Sequence, residues 1–234
     1  MQMVTDFHSH ILPGIDDGSR SVEESIAMLR IEAEQGIRHV VATPHFYPQY
    51  QTPEAFLEKR DHAAAILREE MQKHEGLPQL SVGAEVYFFH GISQSECLKE
   101  LTIAQKSCIL LEMPEYSWSD SMFREIADIY SRQGITPIIA HVDRYWRYFR
   151  SSKIPQRLQA MPVLVQANAE FFLNRATVGK ACRMLRGGQI HLLGSDCHNL
   201  TSRTPNLADA VANIRKRCGE DAVAAIREHE TFIF

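Results

Sequence analysis

The chain has 234 residues, 44% of them hydrophobic, and its 25 Lys and Arg against 29 Asp and Glu leave a formal charge of −4. This hydrophobic content excludes intrinsic disorder, the acidic balance offers no electrostatic footprint for nucleic acid, and no apolar run nears the roughly 18 residues of a membrane span. Five cysteines (Cys97, Cys108, Cys182, Cys197, Cys218) without a C-x-x-C pair fit neither a disulfide framework nor a thiolate zinc site, and Met1-Gln-Met-Val-Thr-Asp6 is no signal peptide, so a cytoplasmic protein without membrane insertion is expected.

In chain order, Val4–Phe7 reads as a short strand, followed by the turn-rich Pro13-Gly-Ile-Asp-Asp-Gly18. Ser21-Val-Glu-Glu24 is a capping box. It opens a helix with Val22, Ile26, Leu29 and Ala33 on one face, which Gly36 closes. Val40–Ala42 is a β-branched strand stopped by Thr43-Pro44. Thr52-Pro53 sets an N-cap before a proline at the first helical position, and that helix runs to about His74. Leu80–Val86 and Ile109–Leu111 read as strands, Met122–Arg132 as a helix ending at Gly134, and Thr136–Ala140 and Val163–Gln166 as strands. Val178–Leu185 is helical and stopped by Gly187-Gly188; Ile190–Leu193 is the seventh strand, and Leu207–Glu228 is helical. Strands alternating with helices predict an α/β fold, a parallel sheet with crossover helices. No linker or composition break interrupts the pattern, so one domain over residues 1–234 is expected.

A polar residue follows or ends each apolar run. His8, His10, Asp16 and Asp17 come after the first, then His45, Glu85, Glu112, His141, Asn168, and finally Asp196 with His198. In a barrel of parallel strands the C-terminal ends share one face, where residues spread over the whole chain meet. A lone histidine after a strand is more often a hydrogen-bonded loop residue than a ligand. A repeated hit at every strand end is a different matter. Glu85 and Glu112 lie in apolar surroundings, where an unpartnered carboxylate is costly. His8-x-His10 and Asp196-x-His198 each point two ligands to one side of an extended segment. Histidines and carboxylates without thiolate suit Mn²⁺, Fe²⁺ or Zn²⁺. A competing pattern, Cys197-x5-Arg203, has the spacing of a cysteine-dependent phosphatase loop. It lacks the glycine that turns backbone N–H groups onto phosphate, and Asp196 beside the thiol disfavours a thiolate.

The blocks Asp6-Phe-His-Ser-His10, Asp16-Asp-Gly18, Ala42-Thr-Pro-His45, Gly83-Ala-Glu-Val-Tyr87, Ala140-His-Val-Asp-Arg-Tyr145, Gln166-Ala-Asn168 and Gly194-Ser-Asp-Cys-His-Asn199 resemble the polymerase and histidinol phosphatase (PHP) superfamily. More closely, the chain is similar to the manganese-dependent bacterial tyrosine phosphatases of capsule and exopolysaccharide operons (CpsB/CapC/YwqE type). The resemblance spans nearly the whole chain, in family order. It implies a distorted seven-stranded (β/α) TIM-like barrel with the metal site at the C-terminal ends of the strands. The implied ligands are His8, His10, Asp17, His45, Glu85, Glu112, His141, Asp196 and His198. They would hold two or three divalent ions, manganese first, with iron or zinc as alternatives. Asp16 is left as a turn former or a support for a ligand, and Asn168 falls outside the ligand set. The implied substrate is a phosphotyrosine protein, a bacterial tyrosine kinase controlling capsular or exopolysaccharide synthesis. The alternative within the superfamily is a small phosphomonoester such as histidinol phosphate. A homo-oligomer is left open.

The chemistry expected of such a centre is attack on phosphorus by a hydroxide formed on the metal near neutral pH. Arg144 and Arg203 clamp phosphate oxygens, and His45 or His198 assists the leaving group. Tyr87, Tyr116 and Trp146 fall near strand ends, where ordinary packing is the commoner role and stacking on a phosphotyrosine ring the functional one. The chain departs from the family pattern at Phe46, Asp143, Cys197 and Thr204, none of which is an implied ligand.

Overall fold

The computed structural model describes residues 4–105, 107–145 and 154–234. The strands are β1 (Asp6–Ser9), β2 (His39–Ala42), β3 (His45–Phe46), β4 (Gln79–Val82), β5 (Glu85–Tyr87), β6 (Cys108–Glu112), β7 (Thr136–Ile139), β8 (Leu164–Asn168) and β9 (Leu192–Gly194). They form two sheets, in the orders β1-β2-β4 and β3-β5-β6-β7-β8-β9, and every ladder between them is parallel. The result is an α/β fold built on a curled parallel sheet.

Nine strand segments stand where seven were expected, because Leu80–Val86 is interrupted and, past the expected stop after Val40–Ala42, pairing resumes at His45. Pro44, which has no N–H to give a ladder, separates β2 from β3. Gly83-Ala84 separates β4 from β5, and Ile103 packs so close to Gly83 that a Cβ there would lie 3.0 Å from its side chain. The pairing survives both kinks, since Gly83 N donates to Ala42 O at 2.9 Å and Glu85 N to Pro44 O at 3.0 Å. Beyond β9, Asp196 N donates to His8 O at 2.7 Å and His10 N to Cys197 O at 2.9 Å. These bonds draw the outer edge of β1 against the exit of β9. The first strand is shifted toward its histidines, Asp6–Ser9 in place of Val4–Phe7, because its bonds are set by β2 and residue 195–197 backbone rather than by apolarity.

The helices are α1 (Val22–Glu34), α2 (Pro53–Met71), α3 (Leu98–Leu101), α4 (Asp120–Gln133), α5 (Ile154–Gln159), α6 (Ala169–Leu173), α7 (Val178–Arg186), α8 (Leu207–Cys218) and α9 (Glu220–Ile233). Half of the expected capping box at α1 forms, with the Ser21 hydroxyl accepting from Glu24 N at 3.3 Å, while the Glu24 carboxylate reaches one residue further back and accepts from Arg20 N at 2.9 Å. The expected single helix over 207–228 is two, because Gly219 adopts φ 91°, which ends α8 and starts α9. Short α3, α5 and α6 lack the length for an apolar period to register in sequence.

One connected cluster of buried apolar residues runs from Val4 to Ile226 between the helices and the outer side of the sheet. A smaller one gathers Phe7, Val41, Leu110, Ile138 and Leu192 from five strands, closed off by Ile233 of α9. Among the described residues no helix is long and apolar enough to cross a membrane.

Candidate metal centre

His8 and His10 are both fully enclosed, and their Nε2 atoms stand 3.1 Å apart. The proton positions follow from a chain of bonds behind them. Asn168 Nδ2 donates to Asp196 Oδ2 at 2.8 Å, and Gln166 Nε2 donates to Asn168 Oδ1 at 3.0 Å. Gln166 Oε1 is therefore the acceptor for His141 N at 2.6 Å and for His8 Nδ1 at 3.3 Å. His10 Nδ1 donates to Asp16 Oδ2 at 2.8 Å. With their protons on Nδ1, both histidines aim bare Nε2 lone pairs at one point, an arrangement that repels itself unless a cation lies between.

The carboxylates converge on the same point. Glu85 Oε2 is 3.1 Å from His8 Nε2, 3.3 Å from His10 Nε2 and 3.0 Å from His45 Nδ1, while Glu85 Oε1 is 2.6 Å from His141 Nε2. Asp196 Oδ1 is 3.5 Å from both His8 and His10 Nε2. On the solvent side, Asp17 Oδ1 is 3.4 Å from His198 Nε2 and 3.6 Å from His45 Nε2. Glu112 lies 3.6 Å from His141 and 3.9 Å from His45. Three overlapping groups result, each with ligand atoms within 4.8 Å of one another: His8/His10/Glu85, His10/Asp17/His45/His198 and His45/Glu85/Glu112. His10, His45 and Glu85 each belong to two of them, as residues shared between neighbouring ions would.

Five buried atoms of these residues make no hydrogen bond: Glu85 Oε2, Glu112 Oε2, His141 Nδ1, Asp196 Oδ1, which has only the Arg203 ion pair, and His198 Nε2. Buried polar atoms are rarely left so, and the three carboxylate oxygens and His198 Nε2 are lone-pair donors at the centre. Asp16, Asp17, Glu85, Glu112 and Asp196 against Arg144 and Arg203 leave an excess of negative charge around the histidines. The donor set fits divalent cations. The electrostatics report the same surplus. Burial pushes His10 down, but Asp16, Asp196 and Glu85 outweigh it and hold the imidazole well above its ordinary range. Burial pushes Glu85 up, and His8, His10, His141 and His45 hold it well below. His198 goes the other way, lowered to about 4 by burial and by His10 and Arg203. Its Nδ1 donates to Asp196 O at 3.0 Å, leaving Nε2 bare.

Arg144 Nη2 is 2.5 Å from Asp196 Oδ2 and Arg203 Nη2 is 2.7 Å from Asp196 Oδ1. The two loops thus bring one guanidinium to each oxygen of the same carboxylate. Two residues of the site hold positive φ without being glycine, His141 at 29° and Asp196 at 54°, and such backbone persists only where surrounding bonds over-determine it. Cys197 is fully buried, and burial with Asp6 and Glu32 nearby pushes its thiol well up. Its thiolate is thereby disfavoured. Behind the centre, Asp6 accepts from Ser195 N, the Ser195 hydroxyl and His8 N. Glu32 faces Asp6, and burial with that neighbour pushes its carboxyl well above the ordinary carboxylate range.

Sequence reasoning missed Gln166 as a support, though its place in the Gln166-Ala-Asn168 block two residues before Asn168 carried a signal, since alternation puts both on one side. It also missed Tyr47, whose hydroxyl is 3.1 Å from His45 Nδ1 and whose ring stacks on that histidine at 4.9 Å. Asp16 proves a support for His10 and for His45, whose N–H it accepts at 3.0 Å. Asp143 accepts from Asn168 N at 2.9 Å. Tyr116 is exposed, and Trp146 lies outside the described residues.

A family model for capsular polysaccharide synthesis, CpsB/CapC, matches residues 4–231. The tyrosine-protein phosphatase CpsB of Streptococcus pneumoniae is 30% identical over 229 residues, covering 92% of this chain and 90% of that protein. The tyrosine-protein phosphatase YwqE of Bacillus subtilis is 26% identical, covering 96% and 89%. A solved structure from work on YwqE of Bacillus subtilis and CpsB of Streptococcus pneumoniae, which are described as metal-dependent tyrosine phosphatases, superposes with a TM-score of 0.82. It is 24% identical, over 96% of this chain and 92% of that one, and supports the fold.

Proposed function

This chain belongs to the CpsB/CapC family of capsular polysaccharide synthesis, and from that premise we propose that it is a metal-dependent protein-tyrosine phosphatase. The observation that supports this most is the convergence of the Glu85, Glu112 and Asp196 carboxylates with the Nε2 atoms of His8, His10 and His198 in front of two arginines. His8, His10, Asp17, His45, Glu85, Glu112, His141, Asp196 and His198 are the proposed ligands of two or three divalent ions, manganese first. When bound, such ions would neutralise phosphoryl oxygens and lower the pKa of a water. Gln166 and Asp16 fix the tautomers of His8 and His10. Arg144 and Arg203 orient phosphate through guanidinium N–H donors that have no ligating lone pair. His198, its Nε2 bare at the solvent side, and His45 stand nearest the leaving group.

The interrupted strands are proposed to act as seven staves of a distorted barrel, and the chain as one domain over residues 1–234. The proposed substrate is a phosphorylated bacterial tyrosine kinase governing polysaccharide export, met in the cytoplasm. The test compares turnover of a phosphotyrosine peptide, histidinol phosphate and an oligonucleotide by the manganese-loaded enzyme, with EDTA and iodoacetamide in parallel. Phosphotyrosine hydrolysis lost to EDTA and indifferent to iodoacetamide is expected. Turnover of histidinol phosphate with none of phosphotyrosine would overturn the assignment.

A further inference from the structure

The register of the sheet places aromatic rings directly above the candidate metal centre. His45 pairs with Glu85 and Phe46 with Val86 in the parallel ladder of β3 and β5. Side chains two residues apart on a strand share a face, displaced by about 6–7 Å along it. The step that sets His45 beside Glu85 therefore sets Tyr47 beside Tyr87 one pleat higher, toward solvent. Their ring centroids are 5.6 Å apart, inclined by 51°. Tyr50 leans edge-on against Tyr47 at 6.2 Å and is 83% exposed, the most open of the large apolar side chains described. Tyr47 and Tyr87 are only half-buried. Three rings of this kind are unusual at a surface, where a bare aromatic face has nothing to stack on.

Resting on the phosphatase reading above, we propose that Tyr47, Tyr87 and Tyr50 form the seat for the aryl ring of the substrate and so select aryl over alkyl phosphate esters. A phosphoryl group at the level of His45 and Glu85 carries its ester oxygen outward, and the ring attached to that oxygen arrives at the next pleat, the level of Tyr47 and Tyr87. A phosphoserine brings only a methylene to that level and leaves the rings uncovered. A tyrosine phenol, with a pKa of about 10, is neutral near pH 7. Tyr47 and Tyr87 thus present uncharged faces to an anionic substrate. The pair is also tied to the centre itself, through the contact of the Tyr47 hydroxyl with His45 Nδ1, which fixes the ring over the phosphate position.

The test measures kcat/KM on phosphotyrosine and phosphoserine in one peptide background, with metal content determined for every variant. Tyr47→Ala and Tyr87→Ala should each lower the aryl-to-alkyl ratio about three- to tenfold, the range of a single aromatic contact. Tyr87→Phe should restore it, and Tyr47→Phe, which keeps the ring but loses the hydroxyl contact with His45, should restore most of it. Calorimetry supplies a readout apart from turnover. A peptide carrying a non-hydrolysable aryl phosphonate should lose affinity relative to inorganic phosphate in the alanine variants, at wild-type metal content. A double alanine variant that keeps the wild-type ratio and phosphonate affinity would overturn the aryl seat while leaving the phosphatase assignment standing. Wild-type enzyme that hydrolyses neither ester would overturn both.

Discussion

His8 Nε2 and His10 Nε2 face each other at 3.1 Å because each ring has already given its proton away on the far side, to Gln166 and to Asp16. Supports of this kind set ligand basicity and direction, and losing one typically costs ten- to a hundredfold in metal affinity. Asp16→Asn, which can present an amide N–H where a carboxylate accepted, should weaken manganese binding by about that factor in a calorimetric titration. Arg144 and Arg203 make the opposite prediction, since a guanidinium cannot ligate a cation. Arg144→Ala and Arg203→Ala should leave metal content unchanged and lower kcat/KM for phosphotyrosine by roughly tenfold to a hundredfold, the size of one charge-assisted contact at about 1.5–3 kcal/mol. Metal loss in either variant, read by elemental analysis, would show that the guanidinium holds Asp196 in place rather than holding phosphate. The ligand candidates were visible in the sequence because each follows or ends an apolar run. Gln166 and Tyr47 were not, because a neutral side chain in or just after a strand has the same sequence signature whether it packs or supports.

At the scale of the elements, the close approach of β9 to β1 is what brings Asp196 to His8. Gly194 stands where a Cβ would lie 2.5 Å from His8 Cβ and 2.8 Å from Gln166 Nε2. Gly194→Ala should therefore push His8 and its support apart, at an overpacking cost of about 1–3 kcal/mol, with a fall in both melting temperature and metal affinity. A variant with unaltered melting and metal binding would mean that β9 can slide without harm. The breaks at Pro44 and Gly83 act at this scale too. They end β2 and β4 early and restart them as β3 and β5, so that His45 and Glu85 open short rim strands instead of closing long ones. The sequence marks Pro44 as a stop but gives no sign that pairing resumes one residue later. The partner strand supplies the bonds across the kink.

The whole molecule couples the far end of the sheet to pH. The last helix, α9, docks on β1 through Glu230, whose carboxylate accepts from Thr5 N at 2.9 Å. Burial pushes Glu230 up to about 7, against an ordinary carboxyl value of 4.5. A carboxyl raised in the folded state binds more protons there than in the unfolded chain, so stability falls as pH rises between those values, by at most about 3 kcal/mol, and is level above pH 7. Glu230→Gln should melt like the parent near pH 4.5 and higher than it at pH 8. Equal melting at both would place that carboxyl in water. Metal acts on the same equilibrium, since a cation bound only by the folded chain stabilises by mass action, about 2.7 kcal/mol at a hundredfold excess over Kd. Saturating manganese should raise the melting temperature by several degrees, an increase that EDTA reverses.

Apolar runs, caps and glycine stops were enough, by themselves, to determine an alternating parallel α/β chain and a set of histidines and carboxylates at its strand ends. These are local signals, written in neighbouring residues. Tertiary structure alone decided the rest. Gly219, read as helix interior, took a positive φ and split the last helix. Cys197, spaced like a nucleophile from Arg203, went into a fully buried position where its thiolate is disfavoured. Asp196 took a left-handed backbone, which an aspartate tolerates better than most residues but seldom adopts, because His8 O, Asn168 and two arginines hold it there. The direction of each proton at the centre likewise depended on partners up to 158 residues away. Side-chain tautomers and strained backbone follow the nearest polar neighbour in space, and that neighbour is set by packing between strands rather than by position along the chain.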